Sequence, residues 1–142
     1  MINRHFQIVV FLLIMGLSLP GSSVSSSGPA DMKSGEVEVV IRNSTFEFHG
    51  GILKPDEAAT IVLRNQDSIQ HGFTSVLLED LDVQVEADGV VTLGKQIRSV
   101  HINPGKTVLF HFIPTRPGKF SFRCDLHPAM KGELLLLSMG SI

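Results

Sequence analysis

From Glu36 onward, apolar and polar residues alternate with a period of two. Val37, Val39 and Ile41 interleave with Glu36, Glu38 and Arg42, and Phe46 and Phe48 resume the alternation after Asn43-Ser44. Successive side chains on a strand point to opposite faces, so the pattern predicts half-buried strands. Gly50-Gly51 and Pro55-Asp56 read as turns, and Ala59–Leu63 and His71–Leu78 as two further strands. Asp88-Gly89, between Val83/Val85 and Val90/Val91, predicts a hairpin turn. Lys106–Ile113 alternates again, with Val108, Phe110 and Phe112 on one face. Phe120, Phe122 and Cys124 share a parity, which points Cys124 inward at a strand end, and Gly132–Ser138 makes the last strand. Val76–Val85 has room for a helical turn, and no other segment beyond the N-terminal stretch has helical spacing with caps. Short strands punctuated by Gly and Pro predict an all-β fold, an antiparallel β-sandwich with Greek-key connections.

The N-terminus breaks this pattern. Arg4 lies in a short polar start and is followed by Ile8–Leu19, a mostly apolar stretch of twelve residues. A membrane-crossing helix needs about 20 apolar residues, so this one reads as the core of an export signal. No clean Ala-x-Ala cleavage site follows, which leaves an uncleaved membrane anchor as the alternative; the lack of a cysteine after the stretch argues against a lipidated N-terminus. The expected organisation is a signal peptide or anchor over residues 1–21, a flexible Ser/Gly-rich tether over 22–35, and one domain over 36–142. Export places the chain in the periplasm or another extracytoplasmic space, away from the reducing cytosol.

Charge adds little. The net charge is −2, or −3 without residues 1–21, which carry Arg4. There is no basic stripe, so nucleic acid is not an expected partner. The aromatic residues are nine Phe, with no Trp or Tyr.

The chemistry concentrates in Phe122-Arg123-Cys124-Asp125-Leu126-His127-Pro128-Ala129-Met130-Lys131-Gly132. Cys124 is the only cysteine and has no internal disulfide partner. Thiolate and imidazole with a weak axial thioether form the ligand set of a blue-copper electron-transfer site. That set requires a second imidazole, and His71, in Asp67-Ser68-Ile69-Gln70-His71-Gly72-Phe73, is the best candidate. Taken singly, each residue has a plainer reading: a core cysteine, a packing methionine, a hydrogen-bonded strand histidine. Their joint spacing favours the metal. His49, His101 and His111 are expected to have no metal role, and Arg123, Asp125 and Lys131 are expected to be solvated.

An upstream histidine followed late in the chain by Cys-x-x-His-x-x-Met resembles the cupredoxin family of single-domain type 1 copper proteins, most closely its amicyanin and plastocyanin-like members. The resemblance covers roughly residues 36–138 and implies one copper ion held by His71, Cys124, His127 and Met130. It further implies an electron port at His127, where redox protein partners would dock on an apolar patch. Two departures stand out. Relatives often carry Asn directly after the first histidine, where it ties the ligand loops together, and here that residue is Gly72. The segment from Thr74 to Asn103 is also long and predicts an extra hairpin or excursion.

The leading expectation is an exported carrier of single electrons that is not itself an enzyme. No His-x-His pair is present to build further copper centres, and one cysteine is too few for a two-thiolate dinuclear centre. Copper sequestration or delivery is the alternative; against it, the five methionines are scattered rather than clustered. A metal-free interaction module is the third reading.

Overall fold

The computed structural model describes residues 34–137. The leader, most of the tether and Ser138 lie outside the described residues. The strands are β1 (Glu36–Arg42), β2 (Thr45–Gly50), β3 (Ala59–Asn65), β4 (His71–Ser75), β5 (Asp82–Ala87), β6 (Val90–Lys95), β7 (Val100–Ile102), β8 (Thr107–Phe112), β9 (Gly118–Arg123) and β10 (Lys131–Leu136), with one short helix, α1 (Val76–Glu79). They form a six-stranded sheet in the order β2-β1-β3-β8-β5-β6 and a four-stranded sheet in the order β10-β9-β4-β7. This is the β-sandwich that the alternation predicts.

Tight turns set the hairpins. Asn43 and Ser44 both have positive φ, 51° and 54°, and so do Asp88 and Gly89, at 50° and 76°. Paired left-handed residues match the twist of the flanking strands, so β1–β2 and β5–β6 close with minimal loops. Between β2 and β3 the chain instead crosses to the far edge of β1. As a result β1 and β3 run parallel, in register from Glu36↔Thr60 to Ile41↔Asn65. The expected all-antiparallel pairing fails at this one pair, because parallel neighbours need a crossover and residues 51–58 supply it. Leu53, buried in that crossover, bridges to Leu136 and seals the end of the sandwich.

The expected strand His71–Leu78 stops at Ser75. Ser75 keeps an extended backbone, and its hydroxyl accepts a hydrogen bond from the Leu77 amide at 3.3 Å. That is an N-cap, and it turns Leu77 and Leu78 into the core on one turn of helix. The long segment that follows holds the β5–β6 hairpin and then β7, which returns to pair with β4.

Valines, isoleucines and leucines of β1, β3, β5 and β8 face phenylalanines of the smaller sheet. Phe73 stacks on Phe122 at 5.3 Å and lies 5.7 Å from Phe110, while Phe46 meets Phe122 edge-on at 5.1 Å. Such pairs contribute about 0.5–1.5 kcal/mol each beyond their burial. Phe122 lies across Gly132, where a Cβ would fall 2.0 Å from its ring. Phe73 and Phe122 also flank the candidate site in sequence, so a rigid aromatic bed underlies it.

Candidate metal centre

His71 is the first residue of β4, fully buried and paired with Ile102 of β7. Two side chains with no periodic or motif signature in the sequence, Asn65 and Asp67, prepare its position. Asn65, at the end of β3 and buried, donates from Nδ2 to the carbonyls of Ile69 (2.8 Å) and Ile102 (2.9 Å), and its Oδ1 accepts from the Asp67 amide (3.0 Å). One amide side chain therefore fixes both the loop before His71 and the strand beside it. Asp67 then holds the ring: His71 Nε2 lies 2.8 Å from Asp67 Oδ2. A carboxylate only accepts, so Nε2 carries the proton and Nδ1 is left free to ligate. The same carboxylate accepts the amides of Asn43 (2.7 Å) and Ser44 (2.9 Å), the left-handed pair of the β1–β2 turn. Burial opposes the charge on Asp67, but the Ser44 and Asn43 amides and the His71 ring outweigh it and hold its pKa below the ordinary value.

Cys124 follows the end of β9 and is fully buried, as its parity with Phe120 and Phe122 predicts. The chain then loops out and re-enters β10 opposite its own exit, with Arg123 paired to Lys131. Two hydrogen bonds close the loop: Cys124 N–H to Met130 O at 3.1 Å, and Met130 N–H to His127 O at 2.9 Å. The second makes a β-turn over His127-Pro128-Ala129-Met130. Proline suits the second position of such a turn, where its fixed φ matches and no N–H is required. Met130 is buried, while His127 is partly exposed between exposed Leu126, Pro128 and Ala129.

These two constructions converge. Cys124 Sγ lies 3.9 Å from His71 Nδ1 and 3.5 Å from His127 Nδ1, and the two imidazole rings are 4.7 Å apart. The three ligand atoms lie within 4.8 Å of one another. A trigonal first-row metal, with bonds of about 2.0 Å to nitrogen and about 2.3 Å to sulfur, needs nitrogen and sulfur about 3.7 Å apart. The observed separations bracket that value, so the donor set fits such an ion in both chemistry and spacing. A backbone N–H is also aimed at the sulfur: Gly72 donates to Cys124 Sγ at 3.1 Å. His49, His101 and His111 are outside this cluster; His111, for example, meets Thr60 Oγ1 at 3.0 Å on the outer face of β8.

Asp125 is exposed, as expected, but it is also held by specific partners. Its Oδ2 receives His101 Nε2 at 2.8 Å and Ser99 Oγ at 3.0 Å. The His101 bond, against the opposing pull of burial and with help from Ser99, holds its pKa below the ordinary carboxylate value. Nothing local in the sequence marked this pair, since its partners lie 24 residues apart.

The family model for the cupredoxin-like domain matches residues 8–136. This chain belongs to the cupredoxins. Solved structures similar to this cupredoxin include a multicopper oxidase, at 14% identity and a TM-score of 0.52, over 78% of this chain and 45% of that one. Copper nitrite reductase from Nitrosomonas europaea is similar at 13% identity and 0.52, over 81% and 52%. The chain therefore spans about half the length of either enzyme. A mutant of amicyanin in its reduced Cu(I) form matches at 17% identity and 0.41, over 76% and 88%. At these identities the likeness to the two enzymes is one of fold. No curated protein matches the sequence. Fold and cluster together support a copper-binding cupredoxin domain.

Proposed function

We propose that this cupredoxin is a carrier of single electrons that holds one copper ion in a type 1 site. His71 and His127, through Nδ1, Cys124, through its thiolate, and Met130, through its thioether, would hold the ion. The observation that carries this reading is the convergence of Cys124 Sγ and two imidazole Nδ1 atoms from sequence-distant elements.

Copper held there supplies a Cu(II)/Cu(I) couple. The chain's part is to keep the donors still. Asp67 fixes the His71 ring, and the Pro128 turn fixes His127. The Gly72 N–H stabilises negative charge on the sulfur, which tunes the potential together with the apolar packing around it. Ligands that do not move between oxidation states let an electron pass with little reorganisation. His127 is the partly exposed ligand residue, and the exposed apolar surface of Leu126, Pro128 and Ala129 around it suits brief docking of a redox protein. The proposed setting is extracytoplasmic, where a lone thiol is protected by burial and by metal. The role is carriage rather than catalysis, in keeping with a single cysteine and no His-x-His pair.

Titration of the metal-free chain with Cu(II) tests the reading. The expected result is an intense thiolate-to-copper band that saturates at one equivalent, with a reversible couple and fast self-exchange. Loss of metal to an exported acceptor on mixing would move the role to copper delivery. Absence of the band would leave a metal-free β-sandwich.

A further inference from the structure

Gly72 directly follows the ligand His71, and the space where its side chain would stand is not empty. Gly72 has no side chain to shield it, but it is buried. A Cβ built on it would fall 1.7 Å from Asp125 Oδ1 and 3.2 Å from His101 Cδ2. The space in question is therefore filled by a carboxylate and an imidazole from two other elements. His101 is the register partner of Gly72 across β4–β7, so its side chain rises on the same face. Asp125 directly follows the ligand Cys124 and reaches His101 at 2.8 Å and Ser99 at 3.0 Å. Beneath this pair runs the Gly72 N–H···Sγ bond to Cys124.

We propose that His101 and Asp125 form the clamp that joins the two ligand loops of this protein, with Gly72 as the gap that admits it. His101 is a positioning residue. It holds Asp125, which anchors the start of the Cys124–Met130 loop over β4 and shields the amide that donates to the sulfur. The long segment from Thr74 to Asn103 acquires a purpose from this: its return strand β7 carries His101 to the site, and Ser99 comes just before that strand. In this arrangement a side chain at position 72 and the His101–Asp125 pair exclude each other.

The inference rests on the copper-site reading for its functional meaning, but its geometry is testable without metal. His101→Ala should loosen the loop, and the half-exposed side chain makes this variant safe for folding. In the metal-free full-length protein, hydrogen exchange of the Gly72 amide and alkylation of Cys124, the sole thiol, should each speed up by up to roughly fivefold, the scale of one lost pairing between partly exposed side chains. His101→Gln, which keeps a donor for Asp125, should restore most of the protection. With copper bound, His101→Ala should shift the thiolate-to-copper band and broaden the Cu(II) magnetic resonance signal, while His101→Gln shifts them less. Unchanged Gly72 exchange and unchanged Cys124 alkylation in His101→Ala would overturn the clamp. So would a failure of His101→Gln to restore them. If the unmutated protein gives no copper band while His101→Ala still exposes Gly72 and Cys124, the clamp is supported and the copper reading is what fails.

Discussion

Two regions of this sandwich, the ligand site and the β5–β6 hairpin at the edge of the larger sheet, are built from similar strands and treated in opposite ways. At the site that holds His71 and Cys124, side-chain polar groups are directed to specific partners: Asn65 to two carbonyls and an amide, Asp67 to two amides and a ring, Asp125 to His101 and Ser99. Along the β5–β6 hairpin, Val90, Val91 and Leu93 are 63%, 54% and 81% exposed, and the surface pairs Lys95–Asp82 and Lys106–Asp88 join side chains that are themselves mostly in water. Exposed pairs of that kind contribute little, at most about 1 kcal/mol. The difference separates two uses of a strand. One region holds donor atoms in a fixed arrangement, whereas the hairpin is a connection whose main product is the return strand β7.

Cys124→Ser should break the contrast most completely. The thiolate-to-copper absorption should vanish, while circular dichroism still reports the β-sandwich, since a hydroxyl fits the same space. A Cys124→Ser protein that stayed blue would remove Cys124 from the ligand set. Asn65→Ala should come next in effect. It strands two carbonyls and one amide around a buried site, so urea denaturation should show a loss of about 3 kcal/mol. Copper affinity should fall with it, and a variant of native stability would mean that the loop before His71 holds itself. Met130→Gln is expected to keep the copper and lower the reduction potential, because an amide oxygen is harder than a thioether and favours Cu(II). Voltammetry at an unchanged potential would place Met130 outside the axial position. Leu93→Thr, on the hairpin, should change stability by no more than about 0.5 kcal/mol and leave the copper spectrum as it was. A spectral change there would erase the distinction between the two regions.

The parts of this molecule that were legible in its sequence are those with a local or periodic signature. Alternation located most of the strands, because a sheet with one wet face repeats every two residues, but it did not mark the short β7. Cys124, His127 and Met130 could be read together because one short loop carries them all. His71 was harder and was found through its flanks, and the structure brings its Nδ1 toward the same sulfur. What escaped was pairing at a distance. The parallel β1–β3 register depends on a crossover, and alternation is the same whichever way a neighbour runs. Asn65 looked like ordinary loop polarity beside Gln66 and Asp67, although that Asn-x-Asp grouping is the composition expected where side chains organise a turn. Asp125 and His101 carry no mutual signal along the chain. The missing asparagine at Gly72 was visible as a departure, but its replacement becomes visible only when β7 lies beside β4. The strand expected to continue through Leu78 stops where the Ser75 hydroxyl caps a turn of helix, a competition between propensities that a run of apolar residues does not decide.

The Asp67 carboxylate has a consequence for anyone wishing to transplant this centre into another protein. The run from Cys124 to Met130 looks like a self-contained cassette. His71, however, is held by an acid whose remaining capacity is committed to the backbone at Asn43 and Ser44, at the tip of a hairpin more than twenty residues away. A graft carrying only the loop and the histidine would leave that acid without its anchors and the ring free to swivel. The portable unit must include the β1–β2 tip, which supplies no ligand and would be trimmed first by a designer counting donors.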